Sequence, residues 1–185
     1  MVKVCYGMYM KKIIIIGPSG AGKTVLAKKI SNILSIPHIE LDSINHQENW
    51  QPVDKVEFVR TVRSMTSEDS WIFCGNYFST LGIEFWKQAD TIIWCDFSFP
   101  LVLGRLLRRT AYRILTRQLL WNSNRETFRL NFLSSDSVIL WMMKSWNRQK
   151  KRYNSLFSKA NDLPNIDLIR LKSPRLAAEF LDHIL

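Results

Sequence analysis

Residues Gly17-Pro18-Ser19-Gly20-Ala21-Gly22-Lys23-Thr24 fill every specified position of the pattern G-x-x-x-x-G-K-[ST]. Four isoleucines, Ile13 to Ile16, precede it, a β-branched run short enough for one buried parallel strand. Val25, Leu26, Ile30, Ile33 and Leu34 follow at helical spacing. Strand, glycine turn and helix in that order leave few architectures open. The glycines let the backbone turn tightly and point N–H groups at one centre, and the helix start adds the positive end of its dipole. The pattern predicts a triphosphate cradle formed by Gly17 to Thr24. Lys23 is expected to reach the β- and γ-phosphates, and the Thr24 hydroxyl to ligate Mg²⁺.

The rest of the 185-residue chain continues the alternation. His38 to Leu41, Trp71 to Cys74, Thr91 to Cys95 and Ile166 to Leu171 read as further strands. Helical spacing is expected over Val53 to Met65 through Val56, Val59, Val62 and Met65. A helix is expected from Pro100 to about Leu119, a long one from about Asp136 to Ser158, and a last one after Pro174. This order predicts an α/β layered fold around a parallel sheet. Residues 1–10 read as a loose N-terminal extension, and 11–185 as one domain. Within it, 100–160 is longer than a simple crossover needs and reads as a helical lid or insertion.

Hydrophobic residues are 46% of the chain and charged residues 23%, an ordinary globular composition. No apolar run approaches the length of a membrane span or a secretory signal. Three cysteines without CxxC spacing point to a reducing, cytoplasmic compartment. His38 and His46 have no third partner at metal-ligand spacing.

Charge is distributed unevenly. The net charge is +10, and residues 100–152 hold twelve basic side chains against two acids, Glu126 and Asp136. The remainder of the chain is therefore balanced. Arg105, Arg109, Arg113 and Arg117 recur every four residues along one expected helix face, where an anion would relieve their repulsion. Arg105, Arg109 and Arg113 are the candidates for phosphate contact, because the guanidinium fork matches phosphoryl oxygens. Lys150-Lys151-Arg152 reads as solvated charge. Trp121, Trp141 and Trp146 near this basic stretch also support another class, a nucleotide-regulated nucleic-acid-binding protein with little kinase activity. Helical spacing with Val138 and Met142 places Trp141 and Trp146 in the core instead.

No Asn-Lys-x-Asp or Ser-Gly-Gly-Gln signature is present, which leaves a small kinase among phosphate-loop proteins. The chain resembles the adenylate/shikimate-kinase-like P-loop family, and within it the bacterial "DNA topology modulation" or adenylate-kinase-related subgroup. The resemblance runs from about Lys11 to Tyr153. It rests on the phosphate loop, His38-Ile39-Glu40-Leu41-Asp42, Trp71 to Tyr77, Ala89 to Ile93 and the arginine-rich helix. It implies a five-stranded parallel sheet in order 2-3-1-4-5, and transfer of the ATP γ-phosphoryl to a small-molecule or nucleotide acceptor.

One position departs from that family. Relatives end the third strand with an Asp that helps hold Mg²⁺, and here the residue is Cys74. Either another acid joins Thr24 at the metal, or nucleotide binds with weak catalysis. Asp42 is the leading substitute for the metal. It could instead orient the acceptor hydroxyl or take its proton, or serve as a turn cap. Asp96 has weaker claims, with loop capping an equal explanation. Asn76 and Tyr77 are placed at the acceptor pocket or in a turn.

Overall fold

The computed structural model describes residues 10–134, 137–158 and 165–184. The expected extension over residues 1–10 lies outside them except for Met10, which is buried against the core. Five parallel strands form one sheet: β1 (Lys12–Ile16), β2 (His38–Glu40), β3 (Trp71–Cys74), β4 (Thr91–Cys95) and β5 (Asp167–Leu171). Their spatial order is β2-β3-β1-β4-β5. The order puts β1 at the centre, which is why its isoleucines form an unbroken apolar run: both faces are covered. Ile13 and Ile15 face a layer containing α1 (Lys23–Leu34), α5 (Phe99–Leu115) and α7 (Pro174–Ile184). Ile14 and Ile16 face α3 (Lys55–Met65) and α4 (Phe78–Trp86). The 21-residue α6 (Val138–Ser158) serves both, with Met142 in the first cluster and Tyr153 in the second.

Several boundaries differ from expectation. The arginine helix stops at Leu115, because Arg117 adopts a left-handed φ of 49° and turns the chain back. Arg117 thereby leaves the face it was expected to share. In α3 the buried positions are Phe58 and Val62, while Val56 is exposed. Trp141 is also exposed rather than core, and Trp146 packs edge-on against Phe99. The short α2 (Leu41–Asn45) and α4 had no clear signal; α4 is interrupted by Gly82 with φ 74°. The start expected near Asp136 lies outside the described residues.

The turn between β1 and α1 is pressed against α5. Gly20 has φ +91°, and a β-carbon there would stand 2.7 Å from the Val102 carbonyl oxygen. Only glycine lets the loop approach this helix. Replacing it, Gly20→Ala, combines backbone strain with overlap and should destabilise the fold by about 1–3 kcal/mol, read as a lower urea midpoint.

Candidate active site

The loop occupies the carboxyl end of the sheet, where open α/β sheets bind ligands. Gly17 is clamped by Asn76: its N–H donates to Asn76 Oδ1 (3.1 Å), and Asn76 Nδ2 donates back to its carbonyl (2.6 Å). Asn76 in turn receives the Tyr153 hydroxyl (3.1 Å) and donates to Gln149 Oε1 (3.1 Å). The side chain that read as a turn or acceptor contact is thus the anchor between the loop and α6. Lys23, with its ammonium 3.3 Å from the Pro18 carbonyl, folds over the loop it would neutralise.

Thr24 defines the metal side. Its hydroxyl donates to Glu40 Oε2 (3.2 Å) and lies 3.8 Å from Cys74 Sγ. Glu40 and Cys74 are register partners across β2 and β3. A carboxylate from the neighbouring strand therefore stands where the third strand has none. Burial, the largest influence, pushes the Cys74 thiol from 9.0 up to about 11, so it is neutral at physiological pH. Glu40 is a candidate site residue that sequence reasoning left unassigned. The signal was its position at the end of β2, two residues before Asp42, but its importance depends on a strand register.

Asp42 lies in the first turn of α2 and accepts the Tyr77 hydroxyl at Oδ1 (2.8 Å). Burial and this carboxylate push the Tyr77 phenol strongly upward, so it stays a donor. One Asp42 oxygen is held in place while the other has no donor among the described residues, an arrangement suited to a metal water or a substrate hydroxyl. Thr24, Glu40 and Asp42 offer hard oxygen ligands. That fits Mg²⁺, which takes one or two carboxylates and leaves its other positions to water and phosphate. Among the described residues no cluster of three His, Cys, Asp or Glu forms a closed metal cage.

The arginines divide. Arg105 caps the Phe97 ring at 5.5 Å, and its Nη1 would be 3.9 Å from a β-carbon at Gly22, beside the loop. Arg113 is paired with buried Glu126 at 2.7 Å. Arg109 lies 3.8 Å from the same carboxylate and its Nε has no partner. Burial, reinforced by Arg113, holds the Arg109 guanidinium below its usual range, while Glu126, Asp42 and Glu40 pull it back up. Arg109 thus feels both acids of the site. Glu126 also takes two basic groups away from any nucleic-acid surface. Asp96 is committed elsewhere, to Arg170 (2.6 Å) and Lys150 (3.5 Å), so Lys150 is not merely solvated.

The chain beyond α5 returns to α2 in a clasp. Asn124 Nδ2 donates to the Gln47 carbonyl (2.7 Å), and its Oδ1 accepts from the Trp50 N–H (2.9 Å). Trp50 Nε1 reaches the Arg125 carbonyl (3.1 Å), Asn122 donates to the His46 carbonyl, and Trp121 stacks on His46 at 6.3 Å. Asn49, Trp50, Asn122 and Ser123 all have positive φ, so both facing turns carry strain. They line a cavity of about 400 Å³ to which no phosphate-loop residue contributes.

Two outcomes test this geometry. Because Cys74 stays protonated in the fold to higher pH than in the unfolded chain, its contribution favours folding below pH 9 and is lost between 9 and about 11. Its modification by a disulfide reagent should accordingly be slow at pH 8 and accelerate on denaturation. Removing the carboxylate, Glu126→Ala, leaves Arg113 without its partner while the partly exposed Arg109 turns to solvent, and should cost about 1–3 kcal/mol in chemical denaturation.

No family model matches the sequence, and no curated protein does. Among solved structures, similarity is found to a shikimate kinase from Acinetobacter baumannii in complex with shikimate. The TM-score is 0.59 at 14% identity, covering 99% of this chain and 94% of that one. A shikimate kinase from Bacteroides thetaiotaomicron gives 0.55 at 13%, covering 95% and 97%. A gluconokinase from Sinorhizobium meliloti gives 0.53 at 13%, covering 96% and 90%. With its sheet order of 2-3-1-4-5, the chain has the α/β fold of the P-loop kinases.

Proposed function

We propose that the protein is an ATP- and Mg²⁺-dependent phosphotransferase, moving the γ-phosphoryl group of ATP to the hydroxyl of a small acceptor. The observation that carries this reading is the convergence at one sheet edge of the phosphate loop, the Thr24–Glu40 contact, Asp42 and the arginines of α5. The fold's likeness to small-molecule kinases supports it. Gly17 to Gly22 and the start of α1 present backbone N–H groups to the phosphates, and Lys23 balances their charge. Thr24 and Glu40 would hold the metal, with Asp42 two residues further along the same segment. When bound, Mg²⁺ neutralises charge on the β- and γ-phosphates.

Asp42 is the residue that orients the acceptor hydroxyl and receives its proton, with Tyr77 fixing its other oxygen. Arg109 stabilises the charge on the transferring group, and Arg105 and Arg113 frame it. With Glu126 neutralising part of this charge, the remaining excess of guanidinium groups over acids on α5 favours an anionic acceptor, a small acid or a nucleotide. The segment over 100–160 acts as the lid that carries those arginines.

The decisive experiment is a transfer screen with Mg-ATP against mononucleotides and small hydroxy acids. Acceptor-dependent ADP formation is expected, and Lys23→Ala should abolish it. Arg109→Ala should lower kcat about 10³-fold or more, in the range of arginines that act on phosphoryl transfer. Glu40→Gln should raise the Mg²⁺ concentration needed for half-maximal rate about 10–100-fold. Tight ATP binding with no transfer to any acceptor would overturn the reading.

A further inference from the structure

The helix that supplies the arginines is apolar on two opposite sides. At 100° per residue, Val102, Leu106 and Thr110 form one row, and these are buried. Leu107, Ala111 and Leu115 form another, roughly 100–180° away, flanked by Gly104, Arg108 and Tyr112. Every one of those six is exposed, Leu115 to 83%. Exposed apolar side chains continue along the chain past the helix. Leu119 is exposed beside the bridge it makes with Arg125, and the exposed rings of Phe128 and Phe132 stack on each other at 4.7 Å. Of the thirteen large apolar side chains exposed among the described residues, nine lie between Leu107 and Met143. Such clustering marks a contact surface.

Charge says what covers it. Arg108, Arg117, Arg125, Arg129 and Lys144 are exposed, and no carboxylate pairs with any of them among the described residues. The one described acid of the region, Glu126, is buried and already engaged. The occupant is therefore anionic, and a second copy would bring the same arginines against these. Nucleic acid would use the cations and the rings but gains nothing from Leu107, Leu115 and Leu119. None of these leucines lines the cavity between the 48–50 and 122–125 turns, whose lining is polar. Leucine and aromatic side chains projecting from an arginine-rich lobe are the composition of surfaces that lie in the headgroup layer of anionic bilayers. No helix among the described residues is long and apolar enough to cross a membrane, so contact is with one leaflet.

We propose that the lobe formed by the end of α5 and the 117–132 segment docks on anionic lipid surfaces, seating Leu107, Leu115, Leu119 and Phe128 among the acyl chains with the arginines at the headgroups. Phosphoryl transfer is not needed for this contact, so it stands or falls separately from the activity.

The test is flotation of the full chain with vesicles in which about a third of the lipid is phosphatidylglycerol, against pure phosphatidylcholine, at low salt. Binding is expected to the first and not to the second. Leu115→Glu should weaken it tenfold or more, and Arg108→Glu or Arg117→Glu about fivefold or more each. All three positions are exposed, and unchanged thermal melts would show the variants folded. Three results would overturn the proposal: absence of binding to the anionic vesicles, equal binding by wild type and Leu115→Glu, or a dimer in sedimentation that Leu115→Glu dissolves. Leu115-dependent binding to single-stranded DNA tighter than to vesicles would assign the surface to nucleic acid instead.

Discussion

The amide of Asn76 grips Gly17 by both its backbone groups, and the geometry of the site rests on that hold. A phosphate loop works only if its N–H groups converge on one point, and a glycine-rich backbone has no intrinsic reason to remain converged. Asn76 closes the first residue of the loop against the end of β3, and Tyr153 and Gln149 fix the amide from α6. On the other side, Gly20 lies directly on α5. The loop is therefore wedged between the sheet edge and the helix that carries Arg105 and Arg109. Each hydrogen bond contributes only about 1 kcal/mol net, but leaving a buried partner unmet costs about 1–3 kcal/mol. Position, more than stability, is what the clamp supplies.

The replacement of a carboxylate by Cys74 has a local answer. The thiol is buried and neutral, so it adds no charge beside Thr24. Glu40, its register partner, extends from the adjacent strand to the same hydroxyl. A carboxylate thus stands near the loop's threonine, supplied by β2. With Asp42 two residues further on, a single short segment supplies both acids.

Local signals made the centre of the molecule legible. The loop, the strand before it and the helix after it occupy consecutive residues, and their chemistry depends on spacing alone. The α5 arginines were readable for the same reason, since four-residue spacing fixes a helix face. What was not legible depends on contacts between distant segments. Glu40 matters because β2 pairs with β3, and Asn76 matters because β3 ends beside Gly17. Arg117 leaves its row because the chain reverses there, and Trp141 is exposed because α6 presents Met142 to the core instead. Glu126 carried a faint signal as a nearly solitary acid in a basic stretch. Its pairing with Arg113 across a reversed segment could not be read from spacing.

The clasp between the 46–50 and 121–125 turns has a mechanical consequence. Four hydrogen bonds and a stacked ring pair join the segment beyond α5 to the one that follows Asp42. At about 1 kcal/mol each, those four bonds alone hold the turns together by roughly a thousandfold over separation. Glu126 follows Asn124 by two residues and grips Arg113, so the linkage runs on to the arginines. The turn after α2 therefore reaches the Arg113–Glu126 pair through contacts that bypass the sheet.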